Sequence, residues 1–189
     1  MESPDHVAAV ILAAGEARRF GSPKQLALLN GRTLLQHVVD AATEARLAPI
    51  VVVVPFDLPL DLADVTRVPN AHPEHGISHS LRLGFAALLS DVEAAVILLG
   101  DQPTVDATLI RRLLAARGAS PFVATRADGL VMPPVLVERS HFDIVEQESG
   151  DIGLRQVLRS SAGLVSAIDV EDMPADVDTI GDLRAIGGG

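Results

Sequence analysis

The chain has 189 residues, of which 48% are hydrophobic and 3% aromatic, a composition typical of helices packed on a buried sheet. It contains no cysteine, which excludes disulfides, thiolate metal ligands and cysteine nucleophiles. The formal net charge of −10 disfavours nucleic acid and anionic lipid as partners. We expect a cytoplasmic protein, since the acidic N-terminus is no secretory signal and no apolar run approaches the ~20 residues of a membrane helix.

The first part of the chain alternates between apolar runs and polar stretches. Val7–Ala14 is continuously apolar and ends at Gly15, which predicts a strand buried on both faces in a parallel sheet. Glu16–Gln25 is polar, basic and glycine-containing and predicts a loop. A helix, a second buried strand and an irregular, proline-interrupted stretch follow at Thr33–Leu47, Ile50–Val54 and Pro55–Asn70.

The same alternation continues to the end of the chain. The predicted elements are a helix over Ile77–Leu89, a buried strand over Ala94–Leu99, a helix over Asp106–Arg117, strands over Pro121–Thr125 and Val131–Val137, helices over Phe142–Gln147 and Ile152–Arg159, a strand over Leu164–Ile168 and a helix over Thr179–Ile186. This order predicts an α/β, single-domain, three-layer sandwich around a mostly parallel central sheet, with residues 1–6 and 187–189 flexible.

Two polar segments follow predicted strands, at Gly15–Gln25 and Gly100–Thr104. Ligands bind at the carboxyl ends of the strands in such sheets, so we expect both segments to border one site. The first segment is neither a G-x-G-x-x-G loop nor a P-loop. Its small residues would let a ligand approach the backbone, and Arg19 and Lys24 could neutralise phosphate oxygens. The alternative is a solvated surface loop.

The first segment also carries a resemblance to a known family. Leu12–Leu26 reads L-A-A-G-E-A-R-R-F-G-S-P-K-Q-L. It resembles the L-A-A-G-x-x-x-R-[FM]-G-x-P-K signature of the sugar-nucleotide and cofactor nucleotidyltransferases, which have a Rossmann-like fold. Within that superfamily the chain is similar to the molybdenum cofactor cytidylyltransferase branch, through three later segments: Gly76–Arg82 (G-I-S-H-S-L-R), Leu99–Pro103 (L-G-D-Q-P) and Gly150–Arg155 (G-D-I-G-L-R).

The resemblance implies Mg²⁺-dependent (or Mn²⁺-dependent) transfer of CMP from CTP to the phosphate of the molybdenum-pterin cofactor, with release of pyrophosphate. It assigns catalysis to Arg19, Lys24 and Asp101. It assigns nucleotide binding to Leu12, Ala13, Ala14, Gly15, Lys24, Ser78 and Ser80, and the A-A-G and S-L sequences favour cytosine over guanine. A receiving molybdoenzyme or its chaperone is a further implied partner.

The metal ligands are expected among the aspartates. Asp101 follows a buried strand, between a glycine and Gln102-Pro103, and Mg²⁺ favours one or two carboxylates plus substrate phosphates. Asp176-Val177-Asp178-Thr179 resembles a late D-[VI]-D-T segment of the family, so Asp178 is the expected second ligand and Asp176 the reserve. The alternatives are that Asp101 forms a turn and that Asp178 caps the last predicted helix.

Three histidines suggest a zinc site as an alternative reading of the middle of the chain. His75 and His79 are four residues apart at a predicted helix start, with His72 nearby. Gly76 interrupts that turn and no H-E-x-x-H pattern accompanies the histidines, so the sequence favours solvated loop side chains.

The acceptor is less well defined by sequence than the nucleotide. Met132-Pro133-Pro134 stands where the family has G-H-P or a similar sequence. The alternatives are a sugar-phosphate or alditol-phosphate nucleotidyltransferase of the same fold, a cofactor-binding oxidoreductase, and a non-catalytic molybdenum cofactor carrier. The absence of G-x-G-x-x-G counts against the oxidoreductase.

Overall fold

The computed structural model describes residues 6–15, 20, 23–59, 61–147, 154, 158–159 and 162–187. In these ranges the strands are β1 (Val7–Leu12), β2 (Leu28–Leu29), β3 (Arg32–Thr33), β4 (Ile50–Pro55), β5 (Thr66–Asn70), β6 (Ala94–Leu99), β7 (Phe122–Ala127), β8 (Leu130–Glu138) and β9 (Val165–Asp169). The helices are α1 (Leu34–Glu44), α2 (Ile77–Ala86), α3 (Ala107–Ala115), α4 (Phe142–Gln147) and α5 (Ile180–Gly187).

Seven of the described strands form one sheet in the order β5-β4-β1-β6-β8-β7-β9. The first four strands in this order are mutually parallel, β8 is antiparallel to β6 and β7, and β9 is parallel to β7. Strands β2 and β3 pair separately as a short antiparallel hairpin. The predicted α/β class with a mostly parallel central sheet is confirmed.

Helices cover both faces of this sheet, because successive side chains of a strand point to opposite sides. Ala9 and Ile11 of β1 pack in one core with residues of α1 and α3. Val10 and Leu12 pack in a second core with residues of α2 and α4. Helix α2 lies very close to the sheet, since a Cβ atom on Gly84 would stand 2.5 Å from Val10 Cγ1. These three layers are the predicted sandwich.

The expectation of irregular structure throughout Pro55–Asn70 is wrong at its end, where β5 pairs in parallel with β4. Strand β5 lies at the edge of the sheet, and Pro69 stands opposite Val54. An edge strand needs ladder hydrogen bonds on only one side, so it tolerates a proline that a central strand would not. The β2–β3 hairpin was not predicted either. Of the predicted helix over residues 152–159, Leu154, Leu158 and Arg159 are helical, and the rest lies outside the described residues.

None of the helices in the described part of the chain is long and apolar enough to span a membrane.

Candidate active site

The carboxyl ends of β1 and β6 lie side by side at one edge of the sheet. Leu12 is paired with Leu99, and the amide of Gly100 donates to the carbonyl oxygen of Leu12 at 2.9 Å. A Cβ atom at Gly100 would stand only 2.7 Å from the Cβ of Ala13, so the two chain segments approach as closely as a glycine allows. This packing fixes the position of the backbone from which Asp101 extends.

A cavity of about 410 Å³ opens at this edge, within the usual size range of small-ligand sites. The residues around it come from both strand ends, from the Lys24–Leu26 turn and from the start of α2. They are Leu12, Ala13, Ala14, Gly15, Lys24, Gln25, Pro73, Glu74, Gly76, Ile77, Ser80, Leu99, Gly100 and Asp101. The two polar segments singled out in the sequence therefore border the same cavity.

Two aspartates from distant parts of the chain meet at one lysine. Lys24 Nζ donates to Asp101 Oδ2 at 2.7 Å and to Asp178 Oδ1 at 2.8 Å. The Lys24 side chain is 12% exposed, against 23% for Asp101 and 55% for Asp178. Burial lowers the pKa of Lys24, but the charge of Asp101 and the hydrogen bonds to both aspartates outweigh burial and hold that pKa above its ordinary value.

This arrangement fits a divalent cation. Carboxylate oxygens from two segments already converge on one positively charged atom, and hard cations prefer such oxygens. The Lys24 ammonium stands at that point, bound to both of the expected metal ligands rather than directed only at a phosphate. A phosphate contact of Lys24 therefore stays a prediction.

Asp178 reaches Lys24, a residue of the cavity wall, on residues 175–178, which run alongside residues 101–104. The amide of Val177 donates to the carbonyl oxygen of Asp101 at 2.9 Å, and the amide of Ala175 donates to Thr104 Oγ1 at 3.0 Å. Val177 is fully buried, and it packs in a small apolar cluster with Leu29, Leu34, Phe20, Ala27, Leu183 and Ile186. We refer to residues 175–178 as the docked segment.

Asp176, the reserve ligand, contacts Gln102 rather than Lys24 through its Oδ1 atom. Gln102 Nε2 donates to this oxygen at 2.8 Å. Desolvation raises the pKa of Asp176, the nearby charges of Asp101 and Asp178 raise it further, and the Gln102 hydrogen bond lowers it in part. Asp176 is thus bound by an amide and Asp178 by an ammonium, and the choice of Asp178 as the second cation ligand stays a prediction.

The alternative that Asp178 caps the last helix is wrong, because Thr179 does so. Thr179 Oγ1 accepts from the amide of Asp182 at 3.2 Å, and Asp182 Oδ2 accepts from the amide of Thr179 at 2.7 Å. This reciprocal pair is a capping box that begins α5. The Asp178 side chain is left to bind Lys24.

Gln25 is a site residue to which the sequence analysis gave no role. Its side chain is buried, and Nε2 donates to the carbonyl oxygen of Ala13 at 2.6 Å and to that of Gly15 at 3.1 Å. Its Oε1 atom has no hydrogen-bond partner in the described part of the chain. Gln25 thus holds the backbone of the first segment in place. The only sequence signal is its position directly after Lys24 in the signature.

The other predicted site residues fall into three groups. Leu12, Ala13, Ala14 and Gly15 line the cavity, as does Ser80, whose Oγ accepts from Asn70 Nδ2 at 3.1 Å. Ser78 is fully buried, and its Oγ has no partner within the described residues. Arg19 lies outside the described residues, as do residues 150–153 and Arg155 of the late motif.

The chain is similar to known proteins in both sequence and structure. The sequence model of the family described as "MobA-like NTP transferase domain" matches residues 9–165, a range that includes Lys24 and Asp101 and ends before Asp178. The bifunctional protein GlmU of Bordetella parapertussis is 34% identical over 61% of this chain, which spans only 28% of that relative's length.

Structural likeness covers the chain more fully. The crystal structure of Rv0371c from Mycobacterium tuberculosis superposes with a TM-score of 0.87 at 26% identity and covers 99% of this chain and 100% of that one. The same protein has been solved in complex with manganese, and that structure superposes with a TM-score of 0.79 at 26% identity and the same coverage.

Proposed function

Because the chain belongs to the MobA-like NTP transferase domain family, we propose that it is a nucleotidyltransferase that moves CMP from CTP to the phosphate of the molybdenum-pterin cofactor. The observation that carries the proposal is the meeting of Asp101, Asp178 and Lys24 beside a cavity of nucleotide-binding size. The choice of CTP rests on the A-A-G and S-L sequences, and the choice of acceptor on the likeness to the cytidylyltransferase branch.

Asp101 and Asp178 are the residues that would hold Mg²⁺ or Mn²⁺. Such an ion would neutralise charge on the triphosphate, which two carboxylates alone would repel. The manganese complex of Rv0371c supports a divalent cation in this family. A cation held by both carboxylates would take the place of their contacts with the Lys24 ammonium, which would then be available to a phosphate.

The reaction is an in-line displacement at the α-phosphorus of CTP. A phosphate oxygen of the acceptor forms the new O–P bond, the bond to the bridging oxygen of the β-phosphate breaks, and pyrophosphate leaves with that electron pair. A phosphate monoester is largely ionised at pH 7, so no strong general base is required. The difficulty is to bring two anions together, and positioning with charge neutralisation supplies most of the rate.

The chain's own groups divide this work. The backbone at residues 13–15, held by Gln25, would face the triphosphate closely. Lys24 would bind the α-phosphate or the incoming phosphate, and Arg19 would stabilise the charge on the transferring and leaving phosphates. Ser80, which lines the same cavity, would contact the base or ribose.

A sugar phosphate or alditol phosphate is the alternative acceptor. Residues 132–134 depart from the pattern of the molybdenum cofactor branch, and they lie in β8 just beyond the last β6–β8 pair, Ile97 with Val135. Residues 132–134 therefore lie near the carboxyl end of β6, the same end of the sheet as Asp101. The nucleotide could therefore be as proposed while the acceptor differs.

Pyrophosphate release with panels of nucleotides and acceptors tests the proposal. CTP should exceed GTP and ATP by at least ~10-fold in kcat/KM, which requires only about 1.4 kcal/mol of discrimination. A preference for GTP would remove the cytidylyl assignment, and turnover only with sugar or alditol phosphates would remove the molybdenum cofactor. Tight binding of that cofactor without pyrophosphate release would indicate a carrier, and a flavin absorbance would indicate an oxidoreductase.

Arg19 and its neighbour Arg18 provide a matched pair for the catalytic role. Arg19→Ala should lower kcat by roughly 30- to 1000-fold, corresponding to about 2–4 kcal/mol of lost transition-state stabilisation. Arg18→Ala should stay within a few-fold of wild type. A loss in Arg18→Ala alone would show that the signature has been placed in the wrong register.

A further inference from the structure

Three potential metal ligands other than Asp101 and Asp178 lie together at the rim of the cavity, where one of them, Glu74, forms part of the wall. His72, Glu74 and His75 each offer one ligand atom, and these atoms all lie within 4.8 Å of one another. All three side chains are more than half exposed, at 59%, 55% and 57% respectively. We refer to these residues as the rim cluster.

The rim cluster has the dimensions of a transition-metal site. His72 Nδ1 lies 3.0 Å from Glu74 Oε1, and His75 Nε2 lies 3.8 Å from the same oxygen. Ligand atoms bonded at about 2.0 Å to a tetrahedral zinc ion stand about 3.3 Å apart, between these two distances. The imidazole rings of His72 and His75 are stacked with their centroids 5.0 Å apart, and one nitrogen of each ring lies within 4.8 Å of the other.

The local backbone holds the rim cluster on a single tight turn. The amide of His72 donates to Asn70 Oδ1 at 2.8 Å, and the amide of His75 donates to the carbonyl oxygen of His72 at 3.1 Å within the Pro73–His75 turn. Gly76, at φ +80°, then leads directly into α2. The sequence reading paired His75 with His79 across a helix. The ligand set in the structure lies instead on the turn before the helix.

We propose that the rim cluster binds a borderline-soft transition-metal ion such as Zn²⁺. Imidazole nitrogens select ions of this class, whereas Mg²⁺ prefers oxygen ligands. His72, Glu74 and His75 supply three of four tetrahedral positions, and the fourth is left to water or to His79, whose ring centroid lies 5.3 Å from that of His75. The site is distinct from the carboxylate pair and does not rest on the proposed function.

The ion would change the electrostatics of the cavity. Glu74 both belongs to the rim cluster and lines the cavity wall, so a bound ion would sit at the cavity edge. It would add two positive charges to a chain of formal net charge −10, beside the place where an anionic nucleotide is expected to enter.

Titration of the metal-free full chain with ZnCl₂, followed by calorimetry, tests the proposal. We expect micromolar binding that His72→Ala and His75→Ala each weaken about 10- to 100-fold or more, since the loss of even a supporting partner has effects of this size. His6→Ala is the matched control, because His6 is also 59% exposed and faces a carboxylate, with its Nδ1 atom 3.4 Å from Asp91. It should bind Zn²⁺ as the wild type does.

Co²⁺ in place of Zn²⁺ gives a readout that is independent of affinity. The wild-type chain should show the visible absorbance of a tetrahedral cobalt site, and His75→Ala should lose it while keeping the wild-type melting temperature. The proposal is wrong if neither histidine variant changes Zn²⁺ binding. It is also wrong if Asp101→Asn weakens Zn²⁺ binding as much as His75→Ala, because the ion would then occupy the carboxylate pair.

Discussion

Asp101 and Asp178 bring the same functional group to the same ammonium, but the chain holds them in different ways. Asp101 is separated from the end of a buried central strand by Gly100 alone, and Gly100 packs so closely on Ala13 that a Cβ atom there would stand 2.7 Å from the Ala13 Cβ. Asp178 is carried by the docked segment outside the sheet, which is anchored by backbone hydrogen bonds and by Val177. The position of Asp101 is therefore set by the central sheet. The position of Asp178 can be disturbed by changes in the docked segment that leave the sheet intact.

Removal of the core-anchored carboxylate should have the largest effect. Asp101→Asn should lower kcat/KM about 1000-fold, or about 4 kcal/mol of transition-state stabilisation, because the cation would lose its best-fixed ligand. The melting temperature should stay close to wild type, since the side chain faces the cavity and not the core. Pyrophosphate assays at saturating Mg²⁺ measure the loss. Asp143→Asn, at an exposed position on α4, should retain full activity.

Removal of the carboxylate on the docked segment should lower activity less, and the loss should depend on Mg²⁺ concentration. Asp178→Asn should lower activity about 10- to 100-fold, with much of the loss recovered at high Mg²⁺, since a half-exposed ligand contributes mainly to metal affinity. Activity measured against Mg²⁺ concentration separates the two effects. If Asp178→Asn loses as much as Asp101→Asn at every Mg²⁺ concentration, the two carboxylates are equivalent and the comparison fails.

Loosening the docked segment should reproduce part of the Asp178 effect without touching any ligand. Val177→Ala removes buried apolar contacts and should reduce the free energy of unfolding by about 2 kcal/mol. Its Mg²⁺ requirement should rise as well, because Asp178 would be held less firmly. Val96→Ala, at a fully buried site in β6, is the control. It should lose stability with no change in Mg²⁺ requirement, as measured by urea unfolding and by kinetics.

The capping box at the start of α5 should give the smallest effect, and one that depends on pH. Thr179→Ala should cost about 1 kcal/mol of stability. The hydrogen bonds from Thr179 hold the pKa of Asp182 below its ordinary value, so the stabilisation it provides is complete above the ordinary carboxyl pKa. Wild type should therefore exceed Asp182→Asn in stability at neutral pH. That difference should vanish as the pH falls through the lowered pKa, and a constant difference across this range would contradict the assignment.

The features that sequence alone predicted are those set by local pattern. The continuous apolar run Val7–Ala14 indicated a buried parallel strand, which the structure has at Val7–Leu12. The parallel order of the strands then brought two polar segments to one cavity. The start of α2 at Ile77 and the bounds of α4 agreed with the prediction. Each of these inferences needs only residues close together in the chain or a general rule for parallel sheets.

The features that sequence missed depend on contacts between distant residues. Pro69 suggested irregular structure, and only its place at the sheet edge makes a strand acceptable there. Nothing in the pattern around Gln25 indicates that its amide spans two carbonyl oxygens of the preceding segment. Asp178 and Thr179 are both common caps by residue type. Thr179 caps α5 through its reciprocal pair with Asp182, and Asp178 binds Lys24, which lies 154 positions earlier in the chain.

The docked segment also sets the time at which a newly made chain acquires its second carboxylate beside Lys24. Asp178 leaves the ribosome 77 residues after Asp101, which corresponds to about 4–15 s of synthesis at ~5–20 residues per second. During that interval β1, β4, β5 and β6 have all been synthesised, and they include both strands that border the cavity. A nascent chain at this stage thus contains both strands that border the cavity but only one of the two carboxylates that contact Lys24. The arrival of Val177 in its apolar cluster then completes the pair.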